Sequence, residues 1–369
     1  MNNKKILTII LIILFSFVTE RINTNKTDVY EEQNKISIKK NKNMLSMNLE
    51  QTAGAGDYKT VTQSSWPTEG YKFNTELSRC ENGSEISWDD TKKVVVVTGN
   101  LLDKCYVYFD IYQPTLAEYI KSQYTGTQGD NALYYHNFTL TNGAGDNSYR
   151  YAGASESVNN YICLGSDEAT CPDANLFRII GVFGDQVKVI RAKSVGDQPW
   201  HSSLVNKSWS SSSLNTYLNG EYLTSLGTLA DKIATTAWKV EGGYTTNLYD
   251  VPKTAYQYEV GSNASSTTND AKIGLMYVSD YGFAADSSEW TEKLGSYKSS
   301  SKNWLYLGSI EWTISRSSDN LYSAFYVKSG GVYSTYVTES YVVRPSFNLE
   351  SSVKYVSGSG TIENPIRIN

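Results

Sequence analysis

The spacing of apolar and polar residues changes several times along the chain, and each change marks an expected element. Ile6 to Val18 is an apolar run broken only by Thr8 and Ser16, and it follows Lys4 and Lys5. A helix of that length spans about 20 Å, against about 30 Å of bilayer hydrocarbon. Residues 1–18 therefore read as a signal peptide or as a retained N-terminal membrane anchor, and both alternatives stay open because no A-x-A-like pair of small residues precedes Thr19. In either case the lysines stay inside and the rest of the chain lies outside. Residues 19–52 are rich in Lys, Glu and Asn with no regular apolar period, which predicts a disordered linker or stalk.

Residues 53–112 carry short apolar runs, Val94–Val97 and Tyr106–Phe109, with a turn at Glu81-Asn82-Gly83, and so predict a small all-β module. Residues 113–148 read as a linker with one short helix. Thr115 and Glu118 have capping-box spacing ahead of Tyr119 and Ile120, and a Gly- and Asn-rich run follows. The larger domain is expected over 149–369. Gly184-Asp185 separates two apolar runs as a two-residue hairpin loop. Leu214, Leu218 and Tyr222, then Leu229, Ile233 and Ala237, recur at helical spacing and predict two helices. Ile273–Val278 predicts a strand. Glu311–Leu349 predicts three or four more, with a hairpin turning at Gly330-Gly331 and Arg344 held extended before Pro345. Strands, then helices, then strands again define an α+β domain rather than a βαβ winding.

Composition sharpens this picture in two respects. Charged residues make up only 19% and tyrosines outnumber phenylalanines 29 to 10, so the surface is carried by Tyr, Ser, Asn, Gly and Thr. The net charge of −5 gives no basic footprint and argues against a nucleic-acid partner. Behind an export signal, the cysteines are expected as two local disulfides, Cys80–Cys105 and Cys163–Cys171.

Candidate chemistry is sparse. Ser299-x-x-Lys302, Ser318-Asp319-Asn320 and Lys328-Ser329-Gly330 match the three motifs of penicillin-binding proteins in order, but without their separation or a helix opening at Ser299. Serine abundance explains them better. His136 and His201 stand at no metal-ligand spacing from Cys163 and Cys171, so neither metal nor cofactor is expected. Asp280, Asp286 and Glu311 read as separate solvated loop acids. No catalytic set emerges.

Four segments in order, WSSSSLNTYLNGEYL (209–223), AKIGLMYVSDYG (271–282), WLYLGSIEWTISR (304–316) and YVVRPSFNL (341–349), resemble a family of uncharacterised exported domains of Gram-positive bacteria. Its usual C-terminal pattern is W-x-x-R-S, then G-x-x, then G-V-R-P-A-L. Those domains are similar to the formylglycine-generating-enzyme and C-type-lectin-like fold. The resemblance therefore implies a C-type-lectin-like domain over 149–369, preceded by the small all-β module. It departs from the pattern at Val342-Val343, which lacks the glycine. No cysteine follows Cys171 to serve copper chemistry, and the E-P-N and W-N-D calcium motifs of sugar-binding lectins are absent.

Tyr and Trp give rigid contact area at low entropic cost, and Ser, Gly and Asn give adaptable hydrogen bonds. On that ground Trp304, Tyr306, Arg316, Tyr326, Tyr333, Tyr336 and Tyr341 are the expected ligand contacts, and Trp312, Arg344 and Pro345 the expected structural residues. The expected protein is an extracellular, adhesin-like recognition protein, secreted or attached to the outer face of the membrane through its N-terminal segment alone. It would bind a surface glycan or protein without covalent chemistry. The alternatives are an enzyme of the formylglycine-generating type with altered chemistry, or a structural surface component.

Overall fold

The computed structural model describes residues 45–62, 65–67, 70–100, 102–204, 208–297 and 300–369. The expected signal or anchor, most of the expected stalk, and Ser299 lie outside them. The chain forms two compact units that divide between Gln113 and Pro114.

In the first unit the strand Leu45–Glu50 is central, not part of a stalk. It runs parallel to Cys105–Ile111, with Leu45 opposite Cys105 and Leu49 opposite Phe109, and antiparallel to Tyr58–Val61. Alternation places Met47 and Leu49 beside Val107 and Phe109 in a small core with Trp66 and Val95. The expected boundary at residue 53 therefore cut through a sheet. Tyr71–Phe73 and Arg79–Cys80 pair with the other edge of Cys105–Ile111, and Glu85–Asp89 forms a separate hairpin with Val94–Thr98. Cys80 and Cys105 are joined. Across a separation of 25 residues that bond contributes about 3.5 kcal/mol on the chain-entropy model, a large share for so small a core.

The second unit begins with the expected helix, Leu116–Ser122, closed by the reciprocal hydrogen bonds of Thr115 and Glu118. Leu116, Ala117 and Ile120 are buried in the main core. Leu133–Tyr135 pairs with Tyr149–Tyr151, so residues 113–148 are part of this fold rather than a linker. Among the described residues, a seven-stranded antiparallel sheet runs in the order Ile273–Gly274, Ser346–Leu349, Gln186–Arg191, Leu176–Phe183, Tyr149–Tyr151, Leu133–Tyr135, with Tyr161–Cys163 also on Leu176–Phe183. The Gly184-Asp185 hairpin is present, with Phe183 opposite Gln186. Gly181 lies against the Tyr149 carbonyl, where a Cβ would sit 2.3 Å from the oxygen, so only glycine fits.

A second sheet of five strands runs Asp197–Pro199, Ser340–Val342, Glu311–Arg316, Ser323–Lys328, Gly331–Tyr336. Its hairpin turns at Ser329-Gly330, both at positive φ (49° and 84°), one residue earlier than expected. The first expected helix is found: Ser213–Tyr217 continues through a wide turn to Ser225 and buries Leu214, Leu218 and Tyr222. The second is found only in part: Gly227–Lys232 is a short 3-10 helix that buries Leu229, the chain is extended from Ile233, and Thr236–Lys239 pairs as a strand with Thr268–Ala271. The expected strand over Ile273–Val278 shortens to Ile273–Gly274, and a helix opens at Val278 and runs to Phe283. Sheets and short helices together make this unit α+β. Cys163 and Cys171 are joined, so their sulfurs are not metal ligands. Among the described residues no helix is long and apolar enough to cross a membrane.

Candidate functional site

The five-stranded sheet gathers three of the expected contact residues on one face. Trp312 pairs with Tyr326, and Tyr326 with Tyr333 across the next strand. On the other side, the Tyr341 ring packs at a tilt, its centre 4.8 Å from that of Trp312 and 5.0 Å from that of Tyr326. The Tyr326 and Tyr333 centroids are 5.9 Å apart. Tyr341, Tyr326 and Tyr333 thus form a row across three strands, with Trp312 buried as its base and donating Nε1–H to the Gln198 carbonyl at 3.0 Å. Tyr333 is exposed, and Tyr326 and Tyr341 are half-buried. Burial, followed by the neighbouring phenols Tyr341, Tyr249 and Tyr333, raises the Tyr326 pKa, so its hydroxyl remains protonated at neutral pH. The row offers apolar ring area edged with hydroxyl groups, its neighbouring rings tilted by 35° and 44° to one another.

The other expected contacts lie elsewhere. Trp304 is a correction: it is 2% exposed, packs at 4.7 Å under the Arg178 guanidinium, and donates Nε1–H to Tyr151 O at 2.8 Å. Arg178 also holds Asn160, Ser155 and Val158, so the pair pins a loop within the core. Tyr306 packs partly against the same core. Arg316 forms an ion pair with Glu241, partly buried. Tyr336 is exposed, but stands three positions beyond Tyr333 and so points to the opposite side of its strand.

The expected structural residues are all buried. Arg344 Nε and Nη2 donate to the two oxygens of Glu311 at 2.7 and 2.9 Å, and Nη2 also reaches the Leu305 carbonyl. Glu311 is therefore not the solvated acid expected. Neither is Asp280, which is 3% exposed. Asp286 caps a short turn through the Ser288 amide. The motifs shared with penicillin-binding proteins are absorbed locally. Lys302 pairs with Glu289, and Asp319 accepts from Thr245 and Ser317.

A second cluster was not expected at all. Lys188 and Arg150, from the two strands that flank Leu176–Phe183, converge on Asp280, with Nζ 2.5 Å from Oδ2 and Nη1 3.5 Å from Oδ1. Arg150 also pairs with Asp146 at 2.7 Å. Nearby, the buried Glu259 carboxylate accepts the amides of Val278 and Ser279. Burial pushes its pKa up, against those bonds and Ser315. Aromatic rings enclose the cations: Nζ of Lys188 is 4.3 Å from the Tyr277 ring centre and 5.0 Å from that of Trp238. A cavity of about 200 Å³ opens against the cluster.

Residues 184–351 match the model of a family described as a domain of unknown function (DUF6273). That span takes in the five-stranded sheet with its tyrosine row, and both Lys188 and Asp280. No curated protein and no solved structure matches the chain.

Proposed function

We propose that the second unit is a recognition module that binds a glycan or protein on the face formed by Tyr341, Tyr326 and Tyr333. The observation that carries this reading is the contiguity of the three rings over buried Trp312. Exposed aromatic residues matter when they cluster, and tyrosine combines contact area with a hydrogen-bonding tip. In this reading the α+β unit is a C-type-lectin-like domain, supported by the order of its Trp, Arg and Arg-Pro segments. The protein works outside a Gram-positive cell as an adhesin-like component. Two disulfides fit an oxidising compartment, and the Lys-flanked apolar start fits an export signal. The test is a glycan-array and host-protein binding screen with the full chain, followed by titration of any hit against Tyr333→Ala. Saturable binding that Tyr333→Ala weakens supports the face. Binding that ignores Tyr333, Tyr326 and Tyr341 substitutions overturns it.

A further inference from the structure

The Lys188–Asp280 pair, like Arg344–Glu311, is almost wholly removed from water. The two side chains are 5% and 2% exposed, and Nζ lies 2.5 Å from Oδ2. Taking two charges out of water is costly, and mutual attraction restores that only with complete hydrogen bonding. Around Nζ stand the Tyr277, Trp238 and Phe183 rings. The Asp280 carboxyl also accepts the Tyr277 amide on Oδ2 at 2.9 Å, and the Arg150 guanidinium faces Oδ1 with Nη1 at 3.5 Å. An amine and a carboxyl fixed in contact, with a cation facing the far oxygen, have the geometry of an amide-forming site.

We propose that Lys188 and Asp280 condense to an isopeptide bond that ties the strand Gln186–Arg191 to the helix Val278–Phe283. The step begins with one proton passing from the ammonium to the carboxylate, which leaves a neutral amine and a neutral acid. A buried site favours that neutral pair, and burial indeed pushes the Lys188 pKa down against the opposing pull of Asp280. The Nζ lone pair then attacks Cγ, forming the C–N bond, while the carbonyl pair moves onto Oδ1 opposite the Arg150 guanidinium. A proton from nitrogen passes to the Oδ2 hydroxyl. The carbonyl re-forms and the Cγ–Oδ2 bond breaks, releasing one water with no change of oxidation state. That water has the adjoining cavity of about 200 Å³ to enter, far more than the roughly 30 Å³ one molecule occupies. The product replaces two buried charges with an amide, and Arg150 stays paired with Asp146.

The experiment is mass spectrometry of the full-length folded protein after reduction and tryptic digestion. Trypsin does not cut at a lysine whose Nζ is acylated. The expected product is therefore Ile179–Arg191, uncut at Lys188, joined to Ile273–Lys293, with a mass one water below the sum. In Lys188→Met the one-water deficit of the intact chain disappears, whether or not that variant folds. Two results overturn the proposal. One is native protein that yields only Ile179–Lys188 and Ile273–Lys293 as separate peptides of unmodified mass. The other is a one-water deficit that persists in Lys188→Met.

Discussion

Arg344 meets Glu311 in a two-pronged hydrogen-bonded pair, Nε to Oε1 at 2.7 Å and Nη2 to Oε2 at 2.9 Å, with both side chains 2% exposed. The third arm, Nη2 to the Leu305 carbonyl, fixes the loop ahead of the Glu311 strand to the segment carrying Arg344. The planar fork of arginine suits this arrangement, and a lysine cannot reproduce it.

Arg344→Ala should therefore destabilise the second unit by about 3–5 kcal/mol, because it leaves the Glu311 carboxylate buried without a partner. Arg344→Lys should cost less, since it keeps the charge and one hydrogen bond. The double variant Arg344→Met with Glu311→Leu should recover much of the loss, as removing both charges of a buried pair often does. Denaturant melts of the three variants check the order. A double variant no more stable than Arg344→Ala would show that the fork to Leu305, rather than charge pairing, dominates.

The boundary between the units gives a second prediction. Limited proteolysis should release a stable fragment beginning near Pro114. A chain begun at Tyr149 should lose its cooperative melt, because it lacks the buried Leu116, Ile120 and Leu133. At about 1.5–3 kcal/mol for each side chain, that loss rivals the whole stability of a domain. A cooperative melt from the shorter chain would refute this placement.

Binding and stability should separate across the tyrosine row. Tyr333 is 37% exposed, so Tyr333→Ala should change the melting free energy by no more than about 0.5 kcal/mol while weakening ligand binding about tenfold. Trp312→Ala should cost about 3–5 kcal/mol of stability, since Trp312 is fully buried. Calorimetric melts set beside titrations with a ligand from the binding screen measure both effects.

What the sequence revealed were the features that act over short distances. The capping box at Thr115 and Glu118, the Gly184-Asp185 hairpin and the two local cysteine pairs depend on neighbours, and the structure contains each. The strand Leu45–Glu50 was legible in its Leu45, Met47, Leu49 alternation, but its partner, Cys105–Ile111, lies far along the chain. Register was harder still. A turn at Gly330-Gly331 would set Tyr326 opposite Thr335, whereas the Ser329-Gly330 turn sets it opposite Tyr333 and so creates the row. Lys188 sits in Val187-Lys-Val-Ile190, which reads as a half-exposed strand. Only long-range packing against Asp280, 92 residues away, buries its head group. Trp304 belongs to no strand, so parity offered no way to place it.

His136 supplies the pH dependence. Its imidazole is fully buried between Phe283 and Trp290, and Nδ1 accepts the Ala144 amide at 3.1 Å. Burial lowers its pKa well below the ordinary 6.5, with Arg150 acting in the same sense and Asp146 opposing. Protonation would cost the ring its acceptor and place a cation among aromatic side chains near Arg150. The folded pKa lies below the unfolded one, so the stabilising contribution is fully present above pH 6.5 and is lost as pH falls below it. The expected slope below that point is about 1.4 kcal/mol per pH unit, until the folded-state pKa is reached. Denaturant melts at pH 7.5, 6.5 and 5.5 should show this loss above the range in which exposed carboxylates titrate, and the buried Glu259 and Glu311, whose pKa values burial raises, act in the opposite sense as pH falls. His136→Gln should flatten the curve between those values while lowering stability at every pH, because glutamine fills the site less well and cannot titrate. A parent protein equally stable at pH 5.5 and 7.5, or a glutamine variant that keeps the slope, would assign the loss to other groups.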